Sequence, residues 1–307
     1  MTPLRQALDD YLRIRRALGF SLAGPERQLD QFVGFLEQAG AERITIELAL
    51  AWAQLPGDAH PYWCKRRLGV VRGFARYLVT VDPDSEVPPQ RLLIARRSRI
   101  APYIYSPGEI VALMQAAALL TPRSRAATLQ AVIGLIATTG LRRGEALGLD
   151  REDVDLADGA VHVRARQHKQ REVPLHPTTT TALRRYARVR DRYAPEPESP
   201  AFFLNERGGR LNGTEFNEQF AKLIRQIGLE GAGERARPRP HDLRHSLAVR
   251  TLLDWRHAGE NVDRRMPELS TFLGHADPAS TYYYLQAVPE LMATVSVRLE
   301  QFGEVLT

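Results

Sequence analysis

The chain has 307 residues, a formal net charge of +6 at pH 7, 44 % hydrophobic residues, 25 % charged residues and one cysteine. This composition suits a globular protein with a sizeable core, and it excludes an intrachain disulfide and a cysteine-based metal site. Apolar runs fall short of the roughly 18 residues that cross a membrane, and the N-terminus has no signal-peptide pattern. We therefore expect a cytoplasmic protein without membrane attachment, whose basic charge permits a polyanionic partner.

Residues 1–88 are predicted to form a small helical domain. Apolar residues recur at helical spacing from Leu4 to Gly19, from Pro25 to Gly40 and again before Pro56-Gly57, and these prolines and glycines are typical of helix starts and ends. A fourth helix is predicted from Tyr62 to Val79. It carries a run of cations that could contact a DNA backbone, although a merely solvated face would look the same: Lys65, Arg66, Arg67, Arg72 and Arg76.

A linker is predicted at residues 89–105, because the prolines and arginines there show no apolar periodicity. The second domain, residues 106–307, opens with a capping box at Ser106 and Glu109 before a helix to Leu120. A nearly all-apolar helix from Ser124 to Thr139 indicates a buried element. The expected fold is therefore mainly α, with two domains.

Three short strands are predicted between Asp153 and Leu175, forming a small antiparallel sheet in the second domain. An Asp-Gly turn follows the first strand, and a polar loop separates the other two. Lys169 would lie at the tip of this hairpin. Lysine occurs only three times in a chain rich in arginine, so a lysine at this tip is informative. Helices are predicted to follow, the last being a C-terminal tail helix at residues 289–307.

Two stretches concentrate polar residues of one chemical kind. Arg142 lies in TTGLRRGEALGL, where Glu145 could orient its guanidinium or form a plain structural ion pair with it. In HDLRH, His241 and Arg244 stand one helical turn apart and can face the same pocket. Arginine forks bind phosphate oxygens in bidentate fashion, so these stretches favour a phosphate ligand.

A third stretch supplies His275 in LGH, followed by a tyrosine cluster at residues 282–284. A tyrosine hydroxyl can serve as a nucleophile. Phosphoryl transfer through a covalent phosphotyrosine is therefore the first hypothesis.

A metal site is the main alternative for HDLRH, because His241 and His245 have the i, i+4 spacing of zinc proteases. Asp242 would replace the usual glutamate, and Arg244 on the same face disfavours a bound dication. A histidine that only caps a helix or hydrogen-bonds within the core is a further alternative. We expect neither a metal nor any other cofactor.

The order and spacing of TGLRRGE, HDLRH and LGH, with a tyrosine nine residues beyond, resemble the tyrosine recombinase family of phage integrases and Xer-type recombinases. The resemblance covers nearly the whole chain and is strongest between Arg142 and Tyr284. It implies an N-terminal helical domain that clamps DNA, followed by a catalytic domain.

By this resemblance, Arg142 and Arg244 bind the non-bridging oxygens of the scissile phosphate, and His241 and His275 hydrogen-bond the same group. Spacing from the LGH histidine favours Tyr284 as the nucleophile over its two neighbours. Four of the catalytic residues are thus two arginines and two histidines, and the fifth is a tyrosine.

The resemblance assigns the general acid, the group that protonates the departing 5′-oxygen, less clearly. Aligned on the VPL that follows, the hairpin lysine of Xer-type relatives falls on Arg166, while Lys169 matches a second lysine common in the same loop. Lysine can be tuned to give up a proton near neutral pH and arginine effectively cannot, so we favour Lys169.

The implied function is site-specific cutting and rejoining of double-stranded DNA through a 3′-phosphotyrosyl intermediate, without metal or ATP. It would serve the integration, excision or transposition of a mobile element, or the resolution of DNA. The family also implies a homo-oligomer on DNA, with four protomers in a synaptic complex. A type IB topoisomerase, which would relax supercoils as a monomer, and a catalytically idle DNA-binding accessory protein are the alternatives.

Overall fold

The structure is a computed structural model that describes residues 2–20, 22–55, 57–95, 102–164, 170–229, 237–275, 281, 282 and 284. The chain divides into two compact units, Met1–Arg99 and Ile100–Thr307. No helix in these described ranges is long and apolar enough to cross a membrane.

The first unit is built from four helices: α1 (Pro3–Ala17), α2 (Ala23–Gln38), α3 (Ile46–Gln54) and α4 (Pro61–Leu78). They follow the predicted order, but α2 begins two residues before the predicted start at Pro25. Because the amides of the first turn have no acceptor within the helix, a proline is tolerated there without marking the first residue. Apolar side chains from all four helices form one core, with Phe32, Trp52 and Phe74 at its centre.

The chain after α4 runs back along that helix. Arg72 donates from Nε to the carbonyl of Pro88 at 2.7 Å, and Lys65, two turns earlier in α4, donates from Nζ to the carbonyl of Ala95 at 3.1 Å. Pro89 and Ala95, both within the predicted linker 89–105, are therefore hydrogen-bonded to side chains of α4. Residues 96–101 lie outside the described residues.

The second unit contains the remaining helices and the sheet. The helices are α5 (Pro107–Ala118), α6 (Arg123–Thr139), α7 (Arg143–Gly148), α8 (Pro177–Tyr193), α9 (Gly213–Gln226), α10 (Pro240–His257) and α11 (Val262–Leu273). The predicted capping box is present at the start of α5, where Ser106 accepts from the amide of Glu109 and the Glu109 carboxylate accepts from the amide of Ser106. The predicted tail helix 289–307 lies outside the described residues.

The sheet has the predicted form, with strands β1 (Val154–Asp155), β2 (Ala160–Arg164) and β3 (Gln170–Pro174) in antiparallel order. Val161 pairs with Val173 in the middle of the β2–β3 ladder. The hairpin tip that carries Lys169, residues 165–169, is outside the described residues. The predicted fold class, mainly α with one small three-stranded antiparallel sheet, is confirmed.

Helix α6 is the centre of the second unit. It packs against α5, α8 and α10, and it buries side chains around most of its circumference, as its apolar sequence predicts. Helix α11 begins five residues before Pro267. Asn261 accepts from the amide of Arg264 and caps the helix there, so Pro267 lies inside it.

Candidate active site

Two helices of the second unit end side by side in glycines of left-handed conformation. Gly140 ends α6 with φ of +64°, and Gly274 ends α11 with φ of +67°. A Cβ on Gly140 would lie 2.7 Å from a methyl group of Leu273, so the two ends meet closely and leave room only for glycine. Arg142 follows the first helix end and His275 follows the second, which brings these two distant stretches of sequence together.

Arg244 connects both helix ends from α10. Its Nη1 donates to the carbonyl of Gly140 at 2.6 Å, and its Nη2 donates to the carbonyl of Leu273 at 2.8 Å. The side chain is 1 % exposed. Burial lowers the pKa of Arg244 to about 10, which still leaves it a cation at neutral pH. The carbonyls orient the fork without neutralising its charge.

Arg142 is held by one carboxylate and one carbonyl. Its Nη1 donates to Glu145 at 2.8 Å, and its Nη2 donates to the carbonyl of Gly274 at 3.0 Å. Glu145 thus orients the guanidinium from one turn away, as the sequence suggested, and it also accepts from the Arg142 amide at 2.9 Å. The Arg142 side chain remains 43 % exposed to solvent.

Arg171 is a site residue that sequence reasoning missed. From β3, it donates to both oxygens of Glu145, at 3.1 and 2.8 Å, so one carboxylate serves two guanidinium groups. Burial alone would raise the pKa of Glu145, but the hydrogen bonds from Arg171 and Arg142 lower it to about 2. The guanidinium of Arg171 also lies over Gly274, where a Cβ would approach Nη1 to 2.5 Å. Its position in the predicted third strand, two residues after Lys169 in the sequence, was the available signal.

The histidines lie around this cation cluster and are neutral at pH 7. The pKa of His275 is lowered to about 4, first by burial and then by Arg244, Arg142 and other cationic neighbours. His241 keeps an exposed side, yet its pKa is also lowered to about 4, again by removal from water first and then by Arg244. A neutral imidazole can both donate and accept a proton, which suits either histidine for hydrogen bonding to a phosphate.

Tyr284 lies within this cluster. It is 2 % exposed, its ring stacks on His275 with centroids 6.1 Å apart, and it lies close enough to Arg244 to raise the pKa of that guanidinium. Of the two alternatives for the nucleophile, Tyr282 is 44 % exposed and Tyr283 lies outside the described residues. Among the described tyrosines of the cluster, Tyr284 is therefore the one in contact with the site cations.

His245 is a second residue whose place the sequence did not reveal. Its ring packs edge-on against Tyr284, with centroids 5.3 Å apart, and against His241 at 4.5 Å. Burial lowers its pKa to about 3. The i, i+4 spacing that suggested zinc therefore serves ring packing here. In the part of the chain that the structure describes, no group of three histidine, cysteine, aspartate or glutamate side chains is arranged to hold a metal ion.

The cations predicted on α4 have three different surroundings. Arg67 is 7 % exposed, and its guanidinium lies 3.7 Å from the ring centroid of Trp52, so it belongs to the core of the first unit. Lys65 and Arg72 are half-buried and donate to backbone carbonyls of residues 88–95. Arg66 and Arg76 are exposed. Of the five predicted cations, these last two are the exposed ones.

The second unit thus places two arginines and three neutral histidines around one buried tyrosine, a set of groups that could bind an anion. Residues 105–290 match the phage integrase family. Over 99 % of both chains, the sequence is 42 % identical to y4rB of Sinorhizobium fredii, described as a candidate integrase/recombinase. It is 30 % identical to the tyrosine recombinase XerC of Actinobacillus pleuropneumoniae over 90 % of this chain and 86 % of the relative. The chain belongs to the phage integrase family.

Solved structures agree with this fold. The Tn1549 transposon integrase in complex with transposon right end DNA matches with a TM-score of 0.66 and 16 % identity, over 99 % of this chain and 100 % of the other. A lambda integrase tetramer bound to a Holliday junction matches with a TM-score of 0.62 and 16 % identity, over 92 % and 76 %. Family membership and the recombinase relatives identify the protein as a DNA strand transferase that carries out site-specific recombination, and the predicted family and enzyme class are confirmed.

Proposed function

We propose that Tyr284 attacks the scissile phosphodiester and that the cation cluster around it holds the phosphate. The burial of Tyr284 against His275 and beside Arg244, whose pKa it raises, is the observation that carries this assignment, because it places the hydroxyl next to a cation that a phosphate oxygen would approach. The Tyr284 oxygen forms a bond to phosphorus and the bond to the 5′-oxygen breaks. A 3′-phosphotyrosyl ester and a free 5′-hydroxyl result.

Arg142 and Arg244 bind the non-bridging oxygens in this proposal. Negative charge grows on those oxygens in the transition state, so fixed cations stabilise it more than the ground state. Both forks are already oriented by the helix-end carbonyls of Gly140, Leu273 and Gly274. Little reorganisation is therefore needed when the phosphate arrives.

Two proton transfers complete the step. The tyrosine proton passes to a neutral histidine of the cluster, His241 or His275, and Lys169 protonates the departing 5′-oxygen. Arg166 is the competing donor in the same hairpin tip, and both residues lie outside the described part of the chain. A 5′-hydroxyl from a second duplex then reverses the reaction. The ester conserves the bond energy, so the exchange needs no ATP.

Covalent trapping tests the assignment. Purified protein is incubated with a duplex library containing a random segment, denatured, and the DNA that stays attached is sequenced. A recovered common site, with attachment at Tyr284 in the peptide map, is the expected result. Tyr284→Phe should bind the recovered duplex normally and form no adduct, whereas Tyr282→Phe should keep it. Attachment through Tyr283 would overturn the assignment, and relaxation of a plasmid that lacks the site would favour a type IB topoisomerase.

We further infer that four protomers assemble on paired sites in the cytoplasm, and that the tail helix at residues 289–307 docks on a neighbouring protomer. The support is the apolar stripe in the tail sequence and the tetramer formed by lambda integrase. Deleting residues 289–307 should leave binding to one site nearly intact and abolish pairing of two sites in a gel-shift assay. Full recombination by the truncated protein would contradict this inference.

A further inference from the structure

A hydrogen bond joins His275 to the helical segment that carries Tyr284. Nδ1 of His275 lies 2.7 Å from the hydroxyl oxygen of Thr281, which is fully buried. Thr281 precedes Tyr284 by three residues, and both are helical, so they lie on the same side of one turn. The nucleophile and the partner of His275 are therefore parts of one short segment.

The partner of Nδ1 decides what the other ring nitrogen can do. A neutral imidazole has one N–H donor and one acceptor nitrogen, and a hydroxyl can complement either. His275 is neutral at pH 7, since burial and the nearby cations Arg244, Arg142 and Arg171 lower its pKa to about 4. If the hydroxyl donates to Nδ1, the ring proton must reside on Nε2, where an N–H can face a phosphate oxygen.

We propose that Thr281 is a positioning residue for His275: its hydroxyl donates to Nδ1, fixes the Nε2–H tautomer and aims that N–H at the scissile phosphate. The inference rests on the proposed function, in which His275 binds the phosphate. It adds a condition to that function. Because Thr281 and Tyr284 share one helical turn, His275 holds the correct tautomer only while the tyrosine segment is docked beside it.

Two substitutions at Thr281 distinguish the effect of the hydroxyl from that of the side-chain volume. Thr281→Val keeps the volume and removes the donor, and Thr281→Ser keeps the donor. We expect Thr281→Val to lower the rate of adduct formation on the trapped duplex by roughly 10- to 100-fold, as loss of a partner that orients a functional imidazole does elsewhere. Thr281→Ser should restore a rate close to that of the wild type, and DNA binding should be unchanged in both.

Thr128→Val is the matched control. Thr128 is also buried, and its hydroxyl donates to the carbonyl of Leu204 at 3.1 Å. It lies twelve residues before Gly140 in the numbering, which puts it about 18 Å along α6 from the site. The control should therefore share any loss of thermal stability caused by removing a buried hydroxyl and keep the wild-type rate of cleavage.

Nitrogen-15 NMR of labelled histidine in the wild-type protein reads the tautomer without DNA. We expect His275 to show an unprotonated Nδ1 and a protonated Nε2, and Thr281→Val to shift it toward a mixture. A protonated Nδ1 in the wild type overturns the proposal, even if the valine variant fails to fold. A folded valine variant that cleaves at the wild-type rate also overturns it. Failure of the wild type to form a Tyr284 adduct would instead refute the proposed function.

Discussion

Two arginines, Arg5 of the first compact unit and Arg244 of the second, have partners of different kinds. In the first unit, Arg5 bonds the carboxylates of Asp30 at 2.6 Å and Glu37 at 2.9 Å, so acidic partners balance its charge. In the second unit, Arg244 is held by two backbone carbonyls. A carbonyl orients a guanidinium as well as a carboxylate does but leaves its full charge in place. A buried cation held in this way is costly without an anion, and a phosphate supplies one.

Arg244→Lys should give the largest effect, because lysine keeps the charge and loses the planar fork. We expect adduct formation to fall by roughly 10³- to 10⁵-fold, the range found when a cation that stabilises a transferring phosphoryl group is lost. Arg190→Lys is the matched control, since Arg190 is also buried but pairs with Asp191 and the carbonyl of Ala201. Quench-flow cleavage assays compare the two. Equal losses in both variants would mean that burial, and not the site, explains the defect.

Lys169→Ala should cleave ordinary DNA roughly 10²- to 10⁴-fold more slowly, because the 5′-oxygen would depart without a proton. Sulfur in place of that bridging oxygen leaves as a thiolate and needs no acid. The variant should therefore cleave the sulfur substrate at nearly the wild-type rate. An equal defect on both substrates would transfer the role to Arg166 or His241.

Gly274→Ala, compared with Gly259→Ala, tests whether displacing Arg171 slows cleavage beyond the cost of backbone strain. Gly274 and Gly259 both have positive φ, +67° and +74°, so alanine costs about 1–2 kcal/mol of unfolding free energy at either position. Only at Gly274 would the new Cβ collide with Arg171, whereas Gly259 has open space. We expect similar losses of stability by urea unfolding, and a further fall in cleavage of about tenfold only for Gly274→Ala. Unchanged cleavage in Gly274→Ala would show that Arg171 does not position the site.

The lowered pKa values of three histidine rings, His241, His245 and His275, predict how the stability of the second unit depends on pH. Their pKa values are lowered to about 4 for His241, about 3 for His245 and about 4 for His275. The unfolded chain binds protons at these groups below about pH 6.5 and the folded chain does not, so stability is complete above that pH and falls as the pH drops toward 4. Urea midpoints at pH 7.5 and 5 measure the fall. His245→Phe should reduce the difference between the two midpoints, and an unchanged difference would contradict the assignment.

Gly69→Ala should give the smallest effect, and it concerns the first unit. Gly69 lies exposed inside α4, on the same face as Lys65, Arg72 and Arg76, and an added Cβ would meet only Arg72 at 4.0 Å. Alanine should stabilise the helix by up to about 1 kcal/mol. If DNA approaches the helix backbone at this point, binding should weaken while stability rises. Gly73→Ala is the control, because its Cβ would lie 3.2 Å from the Tyr11 hydroxyl and should give no such gain.

The sequence predicted the elements better than the contacts among them. The end of α6 before Gly140 was readable, since glycine after an apolar run is a strong local signal. The roles of Arg171 and His245 were not, because each depends on elements far apart in the chain that meet only in the fold. Arg67 was predicted to contact DNA because of its spacing on α4. Its guanidinium lies over the ring of Trp52, which belongs to α3 and could not be identified from the sequence of α4 alone.

The carbonyls that orient both site arginines belong to the last turns of α6 and α11, the part of a helix that opens most readily. Catalytic competence is then tied to local opening rather than to global unfolding. The amides of Gly140 and His275, which donate to Ile136 at 2.9 Å and to Ser270 at 3.0 Å, would exchange with solvent whenever those turns open. Protection of these two amides from exchange would report how often the two turns open, so fraying at two helix ends would inactivate the enzyme while its core stays folded.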